Sequence, residues 1–223
     1  MIERILPSVA ATAEAFDDEL PAPLFPEEEP LVVRAVAKRR REFATGRRCA
    51  REALAKLGHP AVPLTAGERG APRWPDGVVG SITHCAGYRA AVAAPATLLS
   101  AVGVDAEPHE ALPTGILDVI AGAAERDLIA RLCANDPSVH WDRLLFCAKE
   151  AVYKAWFPLT RRWLGFDDAA VSLDPIGRRF AARLLVPGPV VSFSGRWMVD
   201  RGLLLAAVAL CNGATTGSLV AAG

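Results

Sequence analysis

The sequence predicts an α+β fold, in which helices and strands are mixed and the strands cluster late. Two observations carry that expectation. Apolar residues recur at helical spacing over 31–57, 117–133 and 141–156. Short strand-like runs occupy 80–84, 89–94 and 98–107, and again 170–173, 180–185, 190–196 and 203–210. Neither a regular βαβ alternation nor an internal repeat runs through the chain.

In chain order, residues 1–30 carry five prolines and many acids, which predicts an irregular opening segment. The first helix is read over 31–57 from Val33, Val36, Phe43, Ala50, Leu54 and Leu57, and Gly58-His59-Pro60 supplies its stop. The Gly- and Pro-rich stretch 62–75 reads as turns between short strands. A loop over 108–113 precedes the second helix, whose Ile120, Ala124, Leu128, Ile129 and Leu132 share one side. In the third helix, Leu145, Ala148, Val152 and Ala155 form the side expected to be buried.

Composition narrows the function classes. The chain has 223 residues, and its 25 Lys plus Arg balance 25 Asp plus Glu, which argues against a general nucleic-acid binder. Charge is uneven all the same: 14–29 is acidic and 34–56 is basic, a pattern that suits one discrete anionic ligand. The five cysteines are odd in number and form no CxxC pair, so reduced thiols in a cytoplasmic protein are expected. The start, Met1-Ile2-Glu3-Arg4, is not that of a secretory signal. The longest apolar run, 202–211, is too short to span a bilayer and reads as a buried strand. Membrane association is therefore not expected.

Four segments carry chemistry. In Gly103-Val104-Asp105-Ala106-Glu107, strand alternation points Asp105 and Glu107 the same way, with Cα atoms roughly 6.5 Å apart. Such a pair is either a solvated strand end or a site for a hard divalent cation such as Mg²⁺. In the helical run from Phe146 to Trp156, Glu150 and Lys154 stand at i and i+4, as do Lys149 and Tyr153. A third carboxylate and two lysines beside the first pair suit a metal-bound pyrophosphate. The basic helix from Lys38 to Arg51 is either a solvated face or a set of forked phosphate donors. Finally, Gly80-Ser81-Ile82-Thr83-His84 ends in a histidine that is either structural or a phosphate partner.

Together, and in this order, the segments resemble the Sfp-type 4′-phosphopantetheinyl transferases. The motifs are Arg40-Arg41-Glu42-Phe43 with Arg47, Ser81-Ile82-Thr83-His84, Gly103-Val104-Asp105-Ala106-Glu107, and Phe146-Cys147-Ala148-Lys149-Glu150 through Lys154-Ala155. The runs Trp74-Pro75-Asp76-Gly77, Thr83-His84-Cys85-Ala86-Gly87-Tyr88 and 156–161 look like the actinobacterial branch. The likeness extends over about 31–210. Cys147 stands where many members have serine or threonine.

The resemblance implies two similar α/β subdomains in one monomeric chain, 1–101 and 102–223, with coenzyme A in the cleft between them. It implies Mg²⁺ (or Mn²⁺) on Asp105, Glu107 and Glu150. Lys154 and Lys149 would meet the coenzyme A phosphates, as would His84 with Thr83 beside it. Arg39, Arg47 and Arg69 would hold the 3′-phosphoadenosine end, and Tyr153 would also line the ligand site. The implied reaction moves phosphopantetheine from coenzyme A to a serine of an acyl or peptidyl carrier protein. Fatty-acid, polyketide and nonribosomal-peptide carriers all qualify. Lys154 would stabilise charge, and Glu150 or Glu107 would act as general base, with His84 as an alternative. A metal-dependent coenzyme A or nucleotide pyrophosphohydrolase and a non-catalytic coenzyme A sensor are the rival readings.

Overall fold

The computed structural model describes residues 1–212; the last part of the expected second subdomain, 213–223, lies outside the described residues. The fold is α+β. A three-stranded antiparallel sheet contains β1 (Ala11–Ala15), β2 (Val78–Cys85) and β3 (Tyr88–Pro95) in the order β1-β3-β2. A five-stranded antiparallel sheet contains β4 (Leu99–Pro108), β5 (Ala169–Asp174), β6 (Arg179–Leu184), β7 (Ser192–Asp200) and β8 (Leu203–Cys211) in the order β4-β8-β7-β6-β5.

Each sheet carries one helix of 20 residues: α1 (Ala37–Lys56) lies on the first and, after the shorter α2 (Ile116–Ile120) and α3 (Ala123–Asn135), α4 (Trp141–Thr160) lies on the second. The α1 contact is built from small residues. Cys49, Ala50 and Ala53 of the helix meet Ala13, Ala15, Ala91 and Ala93 of the sheet, so the two backbones approach closely. Larger side chains fill the second core, where Trp141 meets Trp197 edge to face at 5.3 Å and Leu144, Val152 and Trp156 are fully buried. The four residues expected on the buried side of the third helix are all buried.

Four sequence expectations change. The second helix, expected over 117–133, is two helices, α2 and α3, because Ala121 and Gly122 are extended. The first helix starts at Ala37 rather than near 31, because a short 3₁₀ turn at Glu29–Val32 and an extended Val36 precede it. Val33 and Val36 are each 74% exposed, so their helical spacing was coincidental. Its end is as expected: Gly58 takes a positive φ of 82°, and His59 N–H closes back on Leu54 O. Residues 62–75 hold no strand, only an isolated bridge between Ala66 and Pro72 around a 3₁₀ turn at Glu68–Gly70. Prolines there lack the N–H a ladder needs, and Arg69 has a φ of 54°. The opening segment is not irregular throughout, since β1 lies inside it. Its sequence, Ala-Thr-Ala-Glu-Ala, has low strand propensity, and it is a strand because pairing with β3 buries Ala13 and Ala15 against α1.

No helix among the described residues is long and apolar enough to cross a membrane.

Candidate active site

A cleft opens between the two sheet-and-helix halves. Arg39, Phe43 and Arg47 of α1, Arg69 of the 3₁₀ turn, Ser81, Ile82 and His84 of β2, and Glu150, Tyr153 and Lys154 of α4 all line it. Seven residues expected from the sequence at the ligand site are thus brought to one place: Arg39, Arg47, Arg69, His84, Glu150, Tyr153 and Lys154.

The first half contributes most of the positive charge. Arg47 is 5% exposed, stacks over the Phe43 ring at 4.3 Å and approaches Glu28 at 4.0 Å. Burial pulls its pKa down to about 10, which leaves it charged at neutral pH. Its Nε is buried without a hydrogen-bond partner. Glu28 itself is fully buried, takes Arg51 at 3.1 Å and accepts from the N–H groups of Phe25 and Leu64. The sequence does not single out Glu28, the middle residue of Glu27-Glu28-Glu29 in a Pro-rich run. Arg39 pairs with Glu42 at 3.6 Å and meets His84 Nε2. Desolvation, then the Arg39 and Lys154 charges, push the His84 pKa down to about 4, so its ring is neutral although part of it faces solvent. Arg69 stacks on the Trp163 ring at 5.2 Å, and Trp163 stacks on Tyr153 at 5.0 Å, which links the two halves at the cleft.

The second half contributes carboxylates. Asp105 is 5% exposed at the junction of β2, β4 and α4. Lys154 Nζ donates to Asp105 Oδ1 at 2.7 Å and to Val104 O at 3.1 Å. Burial alone would lower the Lys154 pKa, but Asp105 and Glu150 more than offset it and the net shift is upward, so the ammonium stays charged. Burial, and then the Asp105 charge, raise both Glu150 and Glu107. Glu107 is held by Arg143 at 2.9 Å. Arg143 was missed as a site residue, although it stands two helical turns before Glu150 on the same side of α4.

Two expected ligand contacts are not in the cleft. Lys149 is 4% exposed, and its ammonium gives protons to Ile120 O at 2.7 Å, Glu125 Oε2 at 2.8 Å and Phe166 O at 2.8 Å. All three donors are spent inside the second half, so a phosphate role is not available to it in this arrangement. The Glu125 carboxylate also accepts from Gly122 and Val171 N–H, and the pair fastens α2, α3, α4 and β5 together. Thr83 is fully buried and bonds within the protein rather than facing the cleft.

An all-oxygen carboxylate set suits a hard divalent cation. Asp105 Oδ2 is buried with no hydrogen-bond partner, so the donors fit such an ion. Among the described residues, no three Asp, Glu, His or Cys side chains already converge as a closed metal cage. Glu107 is paired with Arg143 and Asp105 with Lys154.

A cationic cleft above clustered carboxylates defines a site for a phosphorylated ligand. Residues 27–94 match the 4′-phosphopantetheinyl transferase N-terminal domain, and residues 101–196 match the 4′-phosphopantetheinyl transferase superfamily. The chain is 52% identical to the 4′-phosphopantetheinyl transferase Svp of Streptomyces mobaraensis, over 100% of this chain and 94% of that protein. It is 48% identical to PptT of Mycobacterium tuberculosis, over 94% and 98% of the two chains, and 48% identical to Npt of Nocardia iowensis, over 94% and 99%. Both of those are also named 4′-phosphopantetheinyl transferases. The chain belongs to the 4′-phosphopantetheinyl transferase family.

Proposed function

We propose that this chain transfers the 4′-phosphopantetheine moiety of coenzyme A to a serine of apo acyl or peptidyl carrier proteins and releases 3′,5′-ADP. This is the holo-acyl-carrier-protein synthase reaction. The observation that carries the reading is the cleft itself: arginines from α1 and the 3₁₀ turn, with His84 of β2, face Glu150 and Lys154 of α4 across one opening.

Arg39, Arg47 and Arg69 hold the 3′-phosphoadenosine end, where forked guanidinium donors match phosphate oxygens. His84, neutral in the free protein, offers a hydrogen bond to a phosphate. Lys154 stabilises charge that builds on the pyrophosphate as the bond to the leaving 3′,5′-ADP breaks. The carrier serine oxygen attacks the β-phosphorus, and its proton passes to a carboxylate. Glu150 is the better of the two candidates. It faces the cleft with a raised pKa, which strengthens it as a base, while Glu107 is engaged by Arg143. Asp105, Glu107 and Glu150 would hold Mg²⁺ (or Mn²⁺), which would neutralise phosphate charge when bound.

Both walls of the cleft come from one chain, which supports a monomer. The five unpaired cysteines support a cytoplasmic protein. We assign the two subdomains to 1–101 and 102–223, a split that falls within the opening residues of β4, just after the chain leaves β3.

The test of the coenzyme A site is Arg47→Ala. A charge-assisted hydrogen bond contributes about 1.5–3 kcal/mol, so the coenzyme A KM should rise about 10- to 100-fold with kcat nearly unchanged. A large fall in kcat at unchanged KM contradicts the assignment.

A further inference from the structure

The facing edges of the two sheets are β2 and β4, and an edge strand leaves backbone N–H groups without a ladder partner. Here hydroxyls take the place of the ladder. Val104 N–H donates to Ser81 Oγ at 3.1 Å, and Ala106 N–H donates to Thr83 Oγ1 at 3.0 Å. Ser81 and Thr83 are two residues apart and share a face of β2, and the N–H groups they accept are also two residues apart on β4. The match fixes the register of β4 against β2, and with it the position of Asp105 along β4 relative to β2.

Thr83 makes one further bond. Its hydroxyl donates to Asp105 Oδ1 at 3.2 Å, on the same oxygen that Lys154 reaches at 2.7 Å. A hydroxyl has one proton, and here it is spent on Asp105, while one of its lone pairs serves Ala106. Thr83 is fully buried, so nothing in the cleft competes for that proton. Two donors on Oδ1 leave Oδ2 as the unpartnered oxygen.

We infer that Thr83 is a positioning residue for Asp105 and not a phosphate ligand: bonded to both β4 and the carboxylate, it fixes which Asp105 oxygen is presented to a divalent cation. The inference rests on the proposed role of Asp105 as a cation ligand.

The experiment compares wild type, Thr83→Val and Thr83→Ser in the full chain with saturating coenzyme A. Mn²⁺ binding is read from the free-ion electron paramagnetic resonance signal, and the coenzyme A KM is measured at saturating Mg²⁺. Loss of an outer-shell partner weakens a metal site by about 10-fold or more, and Thr83→Val should do so with the coenzyme A KM unchanged. Thr83→Ser keeps the hydroxyl and should bind Mn²⁺ as wild type does. Thr83→Ala gives the same readout if the valine does not fold. Wild-type Mn²⁺ affinity in the valine or alanine variant overturns the inference, whether or not the coenzyme A KM rises. A wild-type protein that binds no Mn²⁺ overturns the Asp105 assignment itself, and this positioning role with it.

Discussion

Asp105→Asn is expected to lower kcat by about 100- to 1,000-fold while the protein remains folded. The substitution is nearly isosteric and keeps an oxygen for Lys154 and Thr83, so the bonds at Oδ1 have a neutral counterpart. What it removes is the charge. Asp105 is the buried member of the three carboxylates, its field raises both Glu107 and Glu150, and its Oδ2 is the oxygen left without a partner. Neutralising it should therefore weaken cation binding and lower the Glu150 pKa together. Circular dichroism and thermal unfolding establish that the variant is folded, and steady-state transfer to an apo carrier protein gives the rate. A folded Asp105→Asn enzyme with near wild-type turnover contradicts the metal assignment.

The second large effect is on stability. A Cβ added at Gly103 would lie 2.0 Å from Ala151 O and 2.7 Å from Ala155 N. Both are backbone atoms of α4, so no side chain can rotate away; the helix or β4 must move. Overpacking of this kind costs about 3 kcal/mol, the upper part of its usual range, and about 1 kcal/mol shifts Tm by about 2–4 °C in a chain of this size. Gly103→Ala should thus lower Tm by about 6–12 °C. Activity should fall further than stability explains, because β4 carries Asp105 and α4 carries Glu150 and Lys154. A Tm within about 1 °C of wild type means the helix and strand have room that this packing denies. The same contact gives the glycine of the Gly-x-Asp-x-Glu motif a physical reason: it lets the carboxylate strand lie directly against the carboxylate helix.

Much of this was legible in the sequence because it depends on short-range spacing. Asp105 and Glu107 are placed by strand alternation, Glu150 and Lys154 by one helical turn, and the α1 arginines by a continuous basic run. What was not legible depends on the partner each group finds. Lys149 lies one residue from Glu150, yet its three protons go to Ile120, Glu125 and Phe166, none of which its helix position specifies. Thr83 sits beside a cleft residue, but its hydroxyl is taken up by Asp105 and by Ala106 N–H, partners on β4 that its own strand does not specify. The same holds for β1, an alanine-rich run that is a strand only because β3 lies beside it. Glu28 is buried only because α1, Phe25 and Leu64 close around it.

The most direct measurement is the intact mass of an apo acyl carrier protein after incubation with this enzyme, coenzyme A and Mg²⁺. A gain of one phosphopantetheine arm, abolished by EDTA and restored by excess Mg²⁺, is the predicted result. No mass gain on any of several carrier types contradicts the account, with free 3′,5′-ADP in the same tube identifying a hydrolase and bound, uncleaved coenzyme A identifying a sensor.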